Sequence, residues 1–166
     1  MGMKGALTWS QICRDKALAE LPFKVELTPR GIIEMSPARP RHGKLQLRIG
    51  GLMEQMLPGG VVITECPIEG ADQVRVPDVC WIAEGRERYN ADETALVAAP
   101  DICVEVLSPN NTDEEMAAKR SFYGALGCKE FWTCAESGEM RFFLPDGTAL
   151  SASKISLDFP AQIVVK

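Results

Sequence analysis

An acidic residue inside an otherwise apolar strand is the feature of this sequence that most limits how the chain can fold. Segment 102–107 reads Ile-Cys-Val-Glu-Val-Leu, a pattern typical of a strand that is covered on both faces. A carboxylate buried there without a partner would destabilise the protein by several kcal/mol. We therefore predict that Glu105 faces a metal ion or a lysine.

A second apolar segment carries the same irregularity. Asp78 lies between Pro77 and Val79 in the apolar run 74–82. Two strands that each carry one carboxylate can converge on one divalent ion, and such hard oxygen ligands suit Mg²⁺ or Mn²⁺. Two alternatives stay open. Asp78 could be an exposed acid of an edge strand, and Glu105 could form a purely structural pair with a buried lysine.

Helical and strand patterns follow one another along the chain and predict a mixed α/β fold, in which a central sheet is flanked by helices. The length suits one domain with a real core, so residues 1–166 are predicted to form a single domain. The predicted elements are a short helix within residues 1–20, a hairpin of strands 23–27 and 33–35, a helix at 41–56, strands at 61–66 and 75–83, a loop or short helix at 84–99, a strand at 102–107, a helix at 112–126, a hairpin of strands 130–134 and 140–144, and peripheral strands within 149–165.

Composition excludes several classes of protein. Hydrophobic residues make up 46% and charged residues 25% of the chain, as in an ordinary globular protein. No apolar run approaches the roughly 20 residues that span a bilayer, and the N-terminus lacks the apolar core of a signal peptide. We therefore predict a cytoplasmic protein without membrane partners. With six cysteines, no C-x-x-C pair and one histidine, reduced core thiols are predicted rather than a zinc site.

Charge argues against a protein whose whole surface binds nucleic acid, because the net charge is −5. A local basic patch at the start of the first long helix remains compatible with phosphate binding. An ordinary solvated helix end is the alternative interpretation. The patch consists of Arg39, Arg41, Lys44 and Arg48.

A series of short motifs occurs in a fixed order over residues 20–145. The motifs are Glu34-Met35-Ser36-Pro37, His42, Pro77-Asp78-Val79, Glu105-Val106-Leu107-Ser108-Pro109, Asn111-Thr112, Glu115-Met116, Lys119, Tyr123, Gly127 and Glu130-Phe131-Trp132. This series resembles the Uma2 family (domain of unknown function 820), a branch of the PD-(D/E)XK restriction-endonuclease-like superfamily. The resemblance implies a mixed sheet flanked by helices and DNA cleavage that depends on Mg²⁺.

The resemblance also implies roles for individual residues. The superfamily places an Asp on one strand and Glu-x-Lys on a following strand, and Asp78 and Glu105 match the two acidic positions. Leu107 stands where the lysine belongs, so Lys119 on the next helix is implied as its substitute. The Val106 carbonyl is a candidate third oxygen ligand of the metal. Glu115 departs from the Asp that the family usually has four residues before that lysine.

Helical spacing supports an inward position for Lys119. This lysine shares a stripe with Met116, Tyr123 and Leu126, and such an apolar stripe should face the sheet. There it either extends past the apolar surface to water or points at the carboxylates. In the catalytic interpretation it orients the attacking water and offsets charge on the phosphate. Tyr123 and Trp132 are predicted to be core residues rather than base-stacking ones.

Two further candidates complete the predicted site. His42 is the only histidine and lies on the inner face of the first long helix, where it could pack in the core or contact the scissile phosphate. Glu34 alternates with Ile33 and Met35, so it is either a third carboxylate of the site or an exposed side chain.

The function predicted from the sequence is that of a Mg²⁺-dependent endonuclease that hydrolyses DNA phosphodiesters. One alternative is a catalytically degenerate module that keeps the nuclease fold and binds nucleic acid or protein. Another is a structural subunit of a homodimer with a vestigial acidic pocket. Metal binding at Asp78 and Glu105 separates the first prediction from the other two.

Overall fold

Two β-sheets and four helices are formed within residues 7–37 and 39–166, the residues that the computed structural model describes. The first six residues of the predicted N-terminal helical region, and Ala38 before the first long helix, lie outside the described residues. The helices are α1 (Trp9–Arg14), α2 (Lys16–Ala19), α3 (Pro40–Met56) and α4 (Asp113–Ala125). The strands are β1 (Phe23–Leu27), β2 (Ile33–Pro37), β3 (Gly60–Thr64), β4 (Ile68–Glu69), β5 (Val74–Arg75), β6 (Val79–Ala83), β7 (Ile102–Val106), β8 (Glu130–Cys134), β9 (Met140–Phe143) and β10 (Ala149–Leu150).

The larger sheet has the strand order β10-β9-β8-β7-β6-β3. Its pairs are antiparallel except β7 with β8, which run parallel and are joined through α4. A parallel pair needs such a crossover, and a helix normally supplies it. The predicted mixed sheet flanked by helices is therefore confirmed.

A smaller antiparallel sheet, with the order β2-β1-β5-β4, was not predicted as a separate layer. The predicted strand 75–83 is divided around Pro77, so that β5 pairs with β1 whereas β6 pairs with β3 and β7. Pro77 explains the interruption, because it has no N–H to donate to a strand ladder. Asp78 lies directly after this break.

Strand β7 is buried along its whole length, as its sequence predicts. Ile102, Val104 and Val106 belong to the core cluster that packs beneath α3, whereas Cys103 packs with residues of α4. Since successive side chains of a strand point to opposite faces, Glu105 shares the α4 side with Cys103. The carboxylate therefore lies between the sheet and the helix that carries Lys119.

Each long helix presents an apolar stripe to the sheet. On α3, Leu45, Ile49 and Met53 are fully buried. Helix α4 begins at Thr112, whose Oγ1 accepts a hydrogen bond from the Glu115 N–H at 3.1 Å. Its buried residues are Met116, Lys119 and Tyr123, so the predicted inward stripe is confirmed in position.

The hairpin of β1 and β2 brings two polar side chains inward. Val25 and Leu27 of β1 pack with Trp9 and Ile12 of α1. Side chains at alternate positions must point to the opposite face of the strand, and this places Lys24 and Glu26 on the side of the larger sheet. Strand β1 is thus covered on both faces.

The C-terminal region differs from its prediction. Only residues 149 and 150 form a strand within the predicted strand region 149–165. The backbone N–H groups of Lys154 and Ile155 donate to the buried Glu130 carboxylate, at 2.7 and 3.2 Å, instead of to a strand partner. The Glu130 side chain therefore takes the role of acceptor that a neighbouring strand would have in a sheet.

None of the helices in the described ranges combines the length and apolar character needed to cross a membrane. All six cysteines lie in those ranges as free thiols, and five of them are buried. They pack as small apolar side chains, in agreement with the prediction.

Candidate active site

Two buried carboxylates converge on one point at the boundary between the two sheets. Asp78 follows the break before β6, and Glu105 is the fourth residue of β7. The last paired residues of these strands are Val79 and Val104, so each acid lies one residue beyond the pair at the same end. The Lys24 ammonium lies 2.8 Å from Asp78 Oδ1 and 3.7 Å from Glu105 Oε2. One cation therefore contacts both acids.

Asp78 is fixed by the backbone on one side and faces cations on the other. Its Oδ2 accepts a hydrogen bond of 2.7 Å from the Val106 N–H, and its Oδ1 lies 3.2 Å from His42 Nε2. Burial alone would raise the pKa of the Asp78 carboxyl, but Lys24 and the hydrogen bond with His42 hold it below its ordinary value. Asp78 is therefore an anchored, ionised carboxylate.

Glu105 accepts hydrogen bonds from one neutral and one cationic donor and forms an ion pair with Lys24. The Tyr123 hydroxyl donates to Oε1 at 2.8 Å, and Lys119 Nζ donates to Oε2 at 3.2 Å. Burial raises the pKa of Glu105 above its ordinary value, and Lys119 and Lys24 oppose this only in part. Tyr123 is buried as predicted, but its bond to Glu105 was not anticipated. Nothing in a helical apolar stripe reveals where a phenol hydroxyl points.

Lys119 bridges two acids from different sheets. Its ammonium lies 3.2 Å from Glu105 Oε2 and 3.2 Å from Glu26 Oε2. Burial would lower the pKa of Lys119, but Glu105 and Glu26 raise it above its ordinary value. The lysine is therefore charged, and the sequence-based expectation that it points at carboxylates agrees with this geometry.

The charged cluster consists of Asp78, Glu105, Lys119, Lys24, Glu26 and Arg75. The last three of these residues were not predicted from the sequence. Glu26 Oε1 accepts a 2.7 Å hydrogen bond from the Val76 N–H, and Arg75 Nη1 lies 3.5 Å from Glu26 Oε2. The alternating sequence of β1 looks like that of a half-exposed strand. The signal that could have found these residues is the apolar α1, which had to cover one face of β1 and so turn its polar face inward.

Glu34 lies outside the cluster, which corrects its placement as a third carboxylate. Its side chain is 50% exposed, and its Oε2 accepts a 2.9 Å hydrogen bond from Arg75. Glu26 stands opposite Glu34 in the register of β1 and β2 and takes the inner place. The reason is strand order, because β2 is the edge of the smaller sheet and β1 is internal.

His42 lies at the wall of the site, with its side chain 28% exposed. The hydrogen bond with Asp78 raises the pKa of His42 above its ordinary value. The adjacent turn of α3 reaches the same acid, since Gln46 Nε2 donates to the Asp78 carbonyl at 2.8 Å. Helix α3 therefore positions Asp78 as well as the histidine.

A cavity of about 650 Å³ opens above the carboxylates. Its lining includes charged, polar and apolar side chains from both sheets, α3, α4 and the loop after β7. Such a volume lies within the range of ligand-binding clefts. The lining residues are Leu21, Pro22, Phe23, Lys24, Met35, Ser36, Pro37, Arg39, His42, Gly43, Gln46, Glu65, Asp78, Glu105, Val106, Ser108, Asn110, Asn111, Glu115 and Lys119.

The predicted basic patch is divided between this cavity and another surface. Arg39 lines the cavity. Arg41 Nε donates to the Glu136 carbonyl at 2.6 Å, and Lys44 Nζ donates to the Lys166 carbonyl at 2.8 Å. Arg41 and Lys44 therefore contact C-terminal segments and do not line the cavity, because successive residues of α3 project in different directions.

The carboxylate pair fits a small divalent cation. Asp78 Oδ1 and Glu105 Oε2 both face the point where Lys24 now lies, and Mg²⁺ commonly takes one or two carboxylates together with water and substrate phosphate. Among residues 7–37 and 39–166 no group of three or more His, Cys, Asp or Glu side chains forms a metal site. A metal would thus depend on this pair, and Lys24 would have to move aside.

Comparisons with known proteins agree with the predicted resemblance. The Uma2 family model, described as "Putative restriction endonuclease", matches residues 15–163. A solved structure of "a putative nuclease belonging to DUF820" from Anabaena variabilis superposes with a TM-score of 0.69 and 14% sequence identity. The superposition covers 83% of this chain and 86% of that one, so the two share a fold. The search of curated proteins returned no match.

Proposed function

The chain belongs to the Uma2 family, and on this basis we propose that it is a nuclease that hydrolyses DNA phosphodiesters with Mg²⁺ or Mn²⁺. The observation that carries the proposal is the convergence of Asp78 and Glu105 on a single cation position at the base of an open cavity. Buried acids that share a cation in a cleft are typical of functional sites. The Val106 carbonyl, which belongs to a cavity-lining residue, is the proposed third ligand.

The residues of the site divide the work of cleavage among them. A divalent ion held by Asp78 and Glu105 would acidify a bound water and stabilise charge on the phosphate. The Val106 N–H and the Tyr123 hydroxyl each bind one oxygen of the two acids, and the other oxygen of each acid contacts Lys24. Lys119 holds Glu105 Oε2 and offsets the negative charge that grows on the phosphate during cleavage.

The cavity wall supplies the contacts to DNA. Arg39 and His42 line the cavity that also contains Asp78, and we expect them to bind the phosphates that flank the scissile bond. Because the chain as a whole carries a charge of −5, this contact has to be local rather than spread over the surface. Binding should therefore weaken when salt is added, with a shallow slope.

A nicking assay tests the proposal. Wild-type protein should convert supercoiled plasmid to the open circle in Mg²⁺ or Mn²⁺ and not in EDTA. Asp78→Asn keeps the shape of the side chain but removes its charge, so nicking should fall by roughly 100-fold or more. Asp72→Asn, the same change at an exposed turn, is the matched control and should nick like wild type. Absence of metal-dependent nicking on double- and single-stranded DNA would reject the proposal.

A second candidate function follows from the charges of the cluster. Lys24, Lys119 and Arg75 formally balance Asp78, Glu105 and Glu26 without any metal. Such a closed network would suit a module that keeps the fold and binds nucleic acid or protein without cleaving it. In that case Mn²⁺ should leave the melting temperature of wild-type protein unchanged.

A further inference from the structure

Lys24 occupies the place in which the carboxylate pair would receive a metal. Its ammonium is the cation that contacts both Asp78 and Glu105, at 2.8 and 3.7 Å. Mg²⁺ would have to lie about 2.0–2.1 Å from its oxygen ligands. Since Lys24 Nζ approaches the same Asp78 oxygen that faces the cavity, the ammonium and a metal ion cannot occupy this point together.

Charge balance leads to the same exclusion. Lys24, Lys119 and Arg75 carry three formal positive charges and pair with Asp78, Glu105 and Glu26, and Arg75 also pairs with the half-exposed Glu34. A divalent ion that entered without the departure of a cation would add two positive charges to acids that are already paired. Such an uncompensated charge is strongly unfavourable where water is largely excluded.

Of the two lysines, Lys24 is the one that can leave. The Lys119 side chain is 5% exposed and lies between Glu105 and Glu26. Both lysines line the cavity of about 650 Å³, but the Lys24 side chain is 12% exposed, and the cavity gives its flexible stem room to move away. Within the described residues, Lys24 forms ion pairs with the two proposed metal ligands and none with Glu26.

We infer that Lys24 is a displaceable resident cation, which holds Asp78 and Glu105 together in the metal-free protein and competes with the divalent ion for them. The inference rests on the proposed function only in taking a divalent ion as the ligand of this pair. According to this inference, Lys24 controls the metal affinity of the site. A divalent ion binds to Asp78 and Glu105 only when the Lys24 ammonium has moved away from them.

Titration with Mn²⁺ alone tests the inference without any cleavage assay. The proteins are wild type, Lys24→Met and Lys16→Met, the last being the same change at an exposed lysine of α2. Free Mn²⁺ is counted by electron paramagnetic resonance, and melting temperatures are recorded in EDTA and in Mn²⁺. Lys24→Met should bind Mn²⁺ about tenfold more tightly than wild type or more, because the competing charge is gone.

The metal-free melting temperature supplies the second readout. Lys24→Met should melt below wild type in EDTA, since two carboxylates then face each other, and Mn²⁺ should raise its melting temperature more than that of wild type. Lys16→Met should match wild type in both measurements. If Lys24→Met does not fold, Lys24→Gln, which keeps a donor for Asp78 without the charge, takes its place.

The outcomes separate this inference from the proposed function. Tighter Mn²⁺ binding by the Lys24 variant without nicking by wild type would support the inference and reject the nuclease. Equal or weaker Mn²⁺ binding by the variant, beside metal-dependent nicking by wild type, would overturn the inference and leave the nuclease standing. No Mn²⁺ binding by either protein, or an unchanged melting temperature of the variant in EDTA, would also overturn the inference.

Discussion

Glu105 and Glu130 are both buried glutamates of neighbouring strands, yet their surroundings differ in kind. Glu130, 1% exposed, accepts hydrogen bonds from Trp132 Nε1, Ser153 Oγ and two backbone N–H groups, all neutral. Glu105, 3% exposed, contacts two ammonium groups and borders a cavity. Burial of an acid is therefore not in itself the mark of a site. A functional site is indicated instead by two features together. One partner of the acid is a cation that can move, and the acid borders a cavity that is open to solvent.

The two acids also lie on opposite faces of the larger sheet. Glu130 shares the face of Trp132, which packs in the cluster beneath α3, whereas Glu105 faces α4. Neutral donors of buried side chains and of the backbone can hold a carboxylate permanently and thereby order residues 153–155 of the C-terminal segment. An ammonium group that moves aside, as inferred for Lys24, can be exchanged for another cation. We interpret the first arrangement as structural and the second as functional.

The largest expected effect is on cleavage. Glu105→Gln should lower plasmid nicking by about 1,000-fold, because it removes the charge that would hold the metal and balance Lys119. Glu130→Gln, the same chemical change on the adjacent strand, should leave nicking per folded molecule unchanged. The measurement is the initial nicking rate normalised to the folded fraction from circular dichroism. Equal losses in the two variants would remove the distinction between the two glutamates.

The next effect is on stability. Here Glu130 should matter more than Glu105, which is the reverse of the order expected for cleavage. Glu130→Ala leaves the buried donors of Trp132 and Ser153 and the Lys154 N–H without an acceptor, so it should lower the free energy of unfolding by about 3 kcal/mol. Urea denaturation in EDTA and in Mn²⁺ should give the same loss. A loss that Mn²⁺ restored would mean that Glu130 belongs to the metal site after all.

A smaller effect is expected from the neutral donor to Glu105. Tyr123→Phe preserves the packing of α4 but leaves Glu105 Oε1 without its 2.8 Å hydrogen bond, which should lower the free energy of unfolding by about 1–2 kcal/mol. Mn²⁺ binding should weaken only a few-fold, since both carboxylates remain. Calorimetric titration measures the Mn²⁺ affinity, and urea denaturation measures the free energy of unfolding. If neither quantity changed, Tyr123 would be only an apolar packing residue.

The smallest effect is expected at the half-exposed end of the ion-pair chain. Glu34→Gln removes a partner of Arg75 that is already open to solvent, so the free energy of unfolding should change by less than about 1 kcal/mol. Nicking should stay within about twofold of wild type, because Glu26 occupies the inner position. A loss of nicking comparable with that of Asp78→Asn would restore Glu34 to the catalytic set.

The sequence predicts those features of the fold that depend on a pattern within one short segment. Strand β7 and helices α3 and α4 follow from their own periodicity. The apolar strands pointed to Asp78 and Glu105, and the resemblance to the Uma2 family added Lys119 and His42 to the predicted site. The inward turn of Lys24 and Glu26 could not be read in this way. It depends on the pairing of Leu27 with Val74 and on the packing of α1, which are contacts between distant segments. The division of the sheet at Pro77 has the same long-range origin.

The cluster joins parts of the chain that are synthesised at very different times. Lys24 and Glu26 are made early, Asp78 and Glu105 follow much later, and Lys119 comes after them. Contacts of such high sequence separation form late in folding, since the intervening chain must close first. On a ribosome, the nascent chain would therefore carry no assembled site until α4 had emerged and docked.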